Sequence, residues 1–450
     1  MTAEPRTIRT EAEQALVQQF EDVLPDLPGG ERVGSVRAAA FDKFRRLGLP
    51  HRRVEEWKYT DLRALMKRAA LPARRPVEGA AEQTVRETAD PLAGIKRYRL
   101  VLVDGHYFDA LSDRTALLSA GVDVASTRET LAADGEPASQ LVATPEMAAG
   151  DIALALNAAF ATDGVSVHIR QGVTLDKPLE IQHVLTSGEP RSASIRNRVV
   201  IGAGASAQII ETYRGPAGIA YQVNTVTEVI AGRDATVGWV RLQVEGDATQ
   251  HLGATLLTMA PAARVDHLTV TAGAAVSRAE MYVTTGGEHA HLGIYAAGMI
   301  GGRQHADMTL LIDHALGGAY TRVVAKNAVD DDAHGVFQGK IIVEPDAQKT
   351  DAKMMAKSLL LSPTAEFDSK PELEIYADDV QCGHGATSGR IDDTQLFYLM
   401  ARGVPRAVAE RLLIEAFLDE AIDAVRDERL ATALRAVVTA WLEKRGNAPA

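Results

Sequence analysis

The sequence predicts a mainly β protein: a β-solenoid core of the parallel β-helix type, with α-helical domains before and after it. Three observations carry that expectation. Val240, Leu242 and Val244 alternate with Arg241, Gln243 and Glu245, the period of two that a strand with one buried face requires. Small-residue turns followed by strand-like runs recur at Gly204-Ala205-Ser206, Asp234-Ala235-Thr236, Ala262-Ala263-Arg264, His289-Ala290-His291 and Gly318-Ala319-Tyr320, and the interval between their central alanines is nearly constant. Aromatic residues make up only 5% of the chain, which suits the slim Val, Ile, Leu and Ala core of stacked coils. A similar element, Asp332-Ala333-His334, follows the last of these at about half that interval, as if each long unit held two shorter rungs. The alternatives are a large sandwich or a propeller, and a propeller carries sharper aromatic signatures in each blade.

Taken in order, residues 1–70 read as an N-terminal helical domain. Apolar residues recur at helical spacing from Glu11 to Leu24 and from Val36 to Leu47, and Gly48 with Pro50 closes the second stretch. Residues 71–149 read as a connecting mixed α/β segment: Pro72-Ala73-Arg74-Arg75-Pro76 breaks regular structure, and Leu100 to Val103 opens the strand-rich part. The β-helix core is expected over 150–390. Residues 391–450 turn helical again, with Asp392 or Asp393 capping a helix that carries Leu396, Phe397, Leu399 and Met400, and Gly403 followed by Pro405 ending it and starting the next. Leu412, Leu413, Phe417 and Leu418, then Leu430, Leu434, Val437, Val438 and Trp441, extend amphipathic faces that either pack on the solenoid or dock another subunit.

Composition narrows the function. With 450 residues, 46% hydrophobic and 24% charged, the chain has ample material for a soluble core. A net charge of -12 argues against nucleic acid or an anionic membrane as main partner, since both select concentrated Lys and Arg. The basic cluster Arg45-Arg46 and His51-Arg52-Arg53 sits at a helix end beside Glu55-Glu56 and reads as a solvated face. Glu4, Arg6 and Arg9 precede no apolar run, so neither a signal peptide nor a membrane span is expected. One cysteine forms no internal disulfide, in keeping with a cytoplasmic location.

Several motifs fall short of the chemistry they suggest. Gly202-Ala203-Gly204-Ala205-Ser206-Ala207 resembles a dinucleotide loop, but Gln208-Ile209-Ile210-Glu211 continues as a strand rather than opening a helix. Gly335-Val336-Phe337-Gln338-Gly339-Lys340 lacks a spacer and the Ser or Thr hydroxyl of a P-loop, so no nucleotide site is expected in this chain. His289 with His291, and His305 with Asp307, share strand faces but sit among turn residues rather than in a preorganised metal site. No Gly-x-Ser-x-Gly elbow or His-Glu-x-x-His helix is present. A polysaccharide-active solenoid enzyme could use Asp330-Asp331-Asp332 and Asp378-Asp379, yet the groove aromatics such an enzyme needs are scarce.

The solitary Cys382, two positions before His384, is the remaining chemical feature. On a strand both side chains point to one face, so a thiolate and an imidazole could converge on one iron or sulfur species. Alone they are an incomplete set: structural zinc takes about four ligands and a cubane cluster about four thiolates. The plainer alternative is that Cys382 is a small buried apolar residue, as most free cysteines are. A neighbouring imidazolium would also be expected to lower the thiol pKa.

Specific runs of residues resemble the SufD family of iron-sulfur cluster assembly proteins. They are Arg53-Val54-Glu55-Glu56-Trp57-Lys58-Tyr59-Thr60-Asp61-Leu62, the stretch from Gly339-Lys340-Ile341 to Gln348-Lys349-Thr350-Asp351-Ala352, and Leu373-Glu374-Ile375-Tyr376-Ala377-Asp378-Asp379-Val380-Gln381-Cys382-Gly383-His384-Gly385-Ala386-Thr387, continuing into Leu396-Phe397-Tyr398-Leu399 and Arg402-Gly403. They occur in the family's order over essentially the whole chain. The paralogous SufB scaffold typically has a Glu-containing sequence at Cys-Gly-His-Gly-Ala-Thr and carries more cysteines. Gly383 stands where the family frequently has Ser.

The resemblance implies a right-handed parallel β-helix between helical domains, acting as a non-catalytic scaffold subunit. Its implied partners are a SufB-type paralogue, paired through the β-helix, and a SufC-type ATPase, bound by the C-terminal helices and hydrolysing the ATP. Cys382 and His384 match family positions implicated at the scaffold interface, where they would contribute to a transient iron-sulfur cluster shared with the partner. A purely structural platform is the alternative. The resemblance admits a homodimer of the isolated chain and leaves open whether a flavin joins the complex.

Overall fold

A parallel solenoid forms when each coil satisfies its backbone by pairing with the coils on either side. The computed structural model describes residues 9–186 and 188–446 and shows that arrangement. Strands alternate between two sheets, so every coil gives one strand to each. The first sheet runs in parallel from Val165–Ile169 to Glu366–Ile375, the second from Leu179–Val184 to Gln381–Gly389, eight coils in all.

The repeat of small residues is one corner of this stack. Gly204, Asp234, Ala262, His289 and Gly318 take positive φ values of 65, 57, 56, 58 and 72°, turning the chain into the second sheet. The alanine after each is at most 1% exposed, because coils press together there and no larger side chain fits. The next amide donates to the alanine carbonyl one coil back: Thr236 to Ala205 at 2.9 Å, Arg264 to Ala235 at 2.8 Å, His291 to Ala263 at 2.8 Å and Tyr320 to Ala290 at 2.9 Å. The half-spaced Asp332-Ala333-His334 is the opposite corner, leading into the first-sheet strand His334–Val343. The Gly202 to Ser206 turn belongs to the same series, and Gly335 to Lys340 lies within a strand.

The two ends of the stack differ. At the start, Tyr98–Val103 adds a further parallel strand beside Leu179–Val184, and the hairpin partner His106–Phe108 turns antiparallel. Val122–Ser126 closes the first sheet in the same antiparallel way. At the other end, Glu366–Ile375 and Gln381–Gly389 are terminal, with no further strand beyond them among the described residues.

Helices cover the outside. Helices Glu11–Val23 and Glu31–Leu47 pack through Phe20, Phe41 and Phe44 onto the wholly buried helix Ile152–Phe160. Thr10 and Glu13 form a capping box at the first of these. Asp392 caps Asp393–Ala401 by accepting from the Thr394 and Gln395 amides, and Gly403 at φ 85° ends it. Helices Arg406–Ile422 and Glu428–Gly446 lay Ile414, Leu418, Ile422, Leu430, Leu434 and Val438 on the outer face of the second sheet.

That cover changes the meaning of the alternation at Val240. Val240 and Leu242 face outward, under the C-terminal helices, while Trp239 faces the solenoid interior. Arg241, Gln243 and Glu245 are buried too, at 4, 3 and 4% exposure. Gln243 donates to Glu245 at 2.9 Å and Ser277 to Gln243 at 2.6 Å, and His251 links the other two, with Nδ1 2.8 Å from the Glu245 carboxylate and Nε2 2.6 Å from Arg241 Nη2. The alternation therefore marks a strand here, but both of its faces are buried.

Burial holds three imidazoles neutral: His267, His305 and His314 are each pushed down to about 4. An unfolded chain takes up these protons near 6.5, so the stability they confer is complete above that value and is lost as pH falls towards 4. At pH 5 the loss amounts to roughly 2 kcal/mol per imidazole. Thermal melting at pH 7.5 and pH 5 is expected to show a large acid loss of Tm, reduced in His267→Gln.

Candidate functional site at the open end of the solenoid

Residues in register along the second sheet form files that run the length of the stack. One inward file is Ala207, Val237, Val265, Leu292, Thr321 and Ala352, and its last member is Cys382. The next, Ile209, Trp239, His267, Ile294, Val323 and Met354, ends on His384. Every earlier member of both files is buried. Cys382 is half-buried and His384 exposed, because no coil lies beyond them among the described residues. The fold thus puts a thiol and an imidazole on the interior face of the last coil, at the mouth of the stack.

The rest of the mouth is apolar and partly uncovered. Leu373 packs against the solenoid core from the first-sheet strand. Ile375, in register with the buried Val343, is 42% exposed, and Tyr376 beside it is 59% exposed. Lys349 pairs with Asp379 at the adjoining corner, and the Lys349 amide donates to the Asp379 carbonyl at 2.7 Å. Leu373, Ile375 and Tyr376 fall within a run that resembles the SufD family, but sequence reasoning did not place them on a rim. The coil repeat was the available signal, since it sets 373 and 375 one coil beyond 341 and 343.

The electrostatics correct one expectation. Burial pushes the Cys382 thiol up, Asp351 acts in the same direction, and a hydrogen bond with the Ala352 backbone offsets part of the rise. The lowering expected from a neighbouring imidazolium is not found in the isolated chain. Its thiol is therefore protonated at neutral pH and would become a better ligand only with added positive charge nearby.

The other sequence candidates do not converge with this pair. His291 lies against the Tyr320 ring at 4.3 Å between centroids, and His305 Nε2 is 2.9 Å from Thr60 Oγ1. Asp330 is held by Arg445, and Asp379 by Lys349, so two of the carboxylates weighed for glycoside chemistry are engaged in ion pairs. Among the described residues, no group of three or more His, Cys, Asp or Glu side chains is placed to hold a metal ion.

Comparison with known proteins agrees with this architecture along the chain. The family model described as "SUF system FeS cluster assembly, SufBD core domain" matches residues 183–417, which include Cys382 and His384. The model for the SufBD protein N-terminal region matches residues 15–181. The chain belongs to the SufBD family of iron-sulfur cluster assembly proteins. It is a SufD homologue, 31% identical to the iron-sulfur cluster assembly protein SufD of Escherichia coli over 86% of this chain and 87% of that one. A SufBD family iron-sulfur cluster assembly protein of Synechocystis is 30% identical, over 95% and 93% of the two chains. SufD of Bacillus subtilis is 28% identical over 63% and 65%. The SufBD core-domain match takes in seven of the eight coils in both sheets and reaches into the C-terminal helices.

Because this SufBD chain has one cysteine, thiol chemistry reports on the open end alone. Alkylation of the isolated protein is expected to rise with pH to a midpoint above the ~8.5 of a free thiol. A midpoint near 7, read from rates of maleimide or iodoacetamide labelling, would contradict the burial described here.

Proposed function

We propose that this chain is a non-catalytic scaffold subunit for iron-sulfur cluster assembly, and that Cys382 and His384 supply its half of a transient cluster site shared with a SufB-type paralogue. The observation that carries this is their position: two soft or borderline ligands on the interior face of the terminal coil. A second solenoid seated on that coil would extend both sheets and bring its own side chains opposite the pair. The domain organisation that goes with this function is a helical domain at 1–70, a connecting segment at 71–149, the solenoid at 150–390 and a C-terminal helical domain at 391–450. A cytoplasmic setting suits the chemistry, and no described helix is long and apolar enough to cross a membrane.

The raised thiol accords with a shared site. Iron binding must displace the Cys382 proton, and that costs more in the isolated chain than beside ligands and metal brought by a partner. Cluster chemistry at Cys382 would then be confined to the assembled complex. The same burial favours the second reading, in which Cys382 only packs the junction. The two separate on mutation. With the complex intact, Cys382→Ala and His384→Ala are each expected to lower the cluster yield from iron and sulfide by about tenfold, the scale typical of lost metal-site groups. Undiminished yield from both variants would leave only the packing role.

The C-terminal helices supply a surface for a SufC-type ATPase, which would carry the ATP hydrolysis. Helices Arg406–Ile422 and Glu428–Gly446 bury one face on the second sheet, but Phe397, Tyr398 and Met400 on Asp393–Ala401 are 72, 58 and 42% exposed. Val408 and Leu412 continue the patch at 37 and 42%. Exposed aromatics clustered in this way mark contact surfaces in protein complexes. Phe397→Ser with Met400→Ser is expected to abolish ATPase capture in a pull-down while leaving Tm unchanged. Retained capture would place ATPase binding elsewhere.

A further inference from the structure

The run Arg53 to Leu62, singled out in the sequence but unused by the site above, lies across the outer face of the first sheet and touches four successive coils. On strand Val276–Thr285, Arg278 is fully buried and its guanidinium carbon lies 3.9 Å from the Trp57 ring centroid. Arg278 Nη2 also donates to the Glu56 carbonyl at 2.8 Å, and Arg278 Nη1 pairs with Asp307 on strand His305–His314. Thr60 donates to Asp307 and lies 2.9 Å from His305 on that second coil. One coil further, Gln338 Nε2 donates to the same Glu56 carbonyl at 3.2 Å. On the terminal coil, Lys370 pairs with Glu55.

The contacts grade from buried to exposed along the axis. Trp57, 2% exposed, is anchored by a desolvated cation–π contact over a guanidinium whose remaining donors are occupied by Glu280, Asp307 and the Glu56 carbonyl. Glu55 and Lys370 meet near the surface, with Lys370 also 3.1 Å from Glu372. Among the described residues, strand Glu366–Ile375 otherwise pairs on one edge only, with His334–Val343. Beyond the corner it leads into Gln381–Gly389, which carries Cys382 and His384.

We propose that residues 53–62 form an axial strap that positions the terminal coil, with Trp57 as anchor and Glu55 as the positioning residue that restrains Lys370 on the last strand of the first sheet. The strap holds the open end in the register of the stack before a partner arrives. Its importance for cluster assembly rests on the proposed site at Cys382 and His384. The positioning itself does not, and it is measured on the isolated chain without iron, sulfide or partner.

Cys382 is the reporter. Maleimide labelling rates are measured on the full chain and on Glu55→Gln, Glu55→Lys, Trp57→Phe and Trp57→Leu, alongside hydrogen–deuterium exchange of peptides covering 366–389 and 206–259. The expected order is a rise of about twofold for Glu55→Gln and up to about fivefold for Glu55→Lys, the scale of an exposed ion pair. Trp57→Leu is expected to exceed both, and Trp57→Phe, which keeps a ring over Arg278, to stay close to the parent rate. Exchange should quicken in 366–389 and not in 206–259. Unchanged labelling in both Glu55 variants would overturn the proposal, and so would faster exchange spread equally over both regions. If Trp57→Leu fails to fold, the Glu55 pair still decides. Failure here leaves the cluster-site proposal standing, and failed cluster assembly in Cys382→Ala leaves the strap standing.

Discussion

A parallel solenoid can satisfy its backbone only through the next coil, so whatever meets its last coil has to come from outside the stack. That constraint organises this molecule. At the starting end it is met internally, by the antiparallel strands Val122–Ser126 and His106–Phe108. At the far end the last strands keep one free edge each among the described residues, and there the inward files change from Ala352 and Met354 to Cys382 and His384. An unpaired strand edge is a template for another chain. The only thiol of the chain lies on that edge, where it is half-buried in the isolated chain.

The remaining surfaces are divided by the same logic. The second sheet is apolar on its outer face because the C-terminal helices cover it, and Lys326, 1% exposed, pairs there with Glu420 of helix Arg406–Ile422. The first sheet carries charge on its outer face, where Arg278, Glu280 and Asp307 take the strap that begins at Arg53. Inside the solenoid, Glu211 accepts from Tyr213 at 2.7 Å and from Thr227 at 2.8 Å, although both donors lie in a region otherwise built from Val, Ile and Ala. Burial opposes the Glu211 charge, but the nearby His183 imidazole at 3.7 Å, the field of Arg241 and the Tyr213 hydrogen bond hold its carboxyl down at about 2. These polar groups pair across neighbouring coils, whereas Trp239 Nε1 and both ring nitrogens of His267, also in the lumen, are buried without a hydrogen-bond partner.

Much of this was legible in the chain. The alanine-centred turns revealed the coil length because a single corner geometry, a positive φ followed by a residue too crowded for any large side chain, imposes the same composition on every coil. The thiol and imidazole at 382 and 384 share a face because a strand has period two, and a local rule of that kind survives any tertiary context. What sequence could not convey were relations between distant elements. Val240 and Leu242 face outward only because helices near the C-terminus cover them, and Arg241 is satisfied by His251 on a different strand. Likewise, Trp57 reads as a lone aromatic near the N-terminus until Arg278, from the middle of the chain, is found over its ring. The expectation for the Cys382 thiol failed for a similar reason: it weighed a near neighbour in sequence and left out the desolvation imposed by the coil beneath.

A partner seated on the open end of the solenoid would complete the site proposed at Cys382 and His384. The most direct measurement is a side-chain-resolution structure of this chain in complex with its SufB-type paralogue. The partner's strands are expected beside Glu366–Ile375 and Gln381–Gly389, with partner side chains capable of binding iron facing Cys382 and His384 across the junction. A complex in which those two strands stay exposed to solvent, with the paralogue bound on another face, would contradict it.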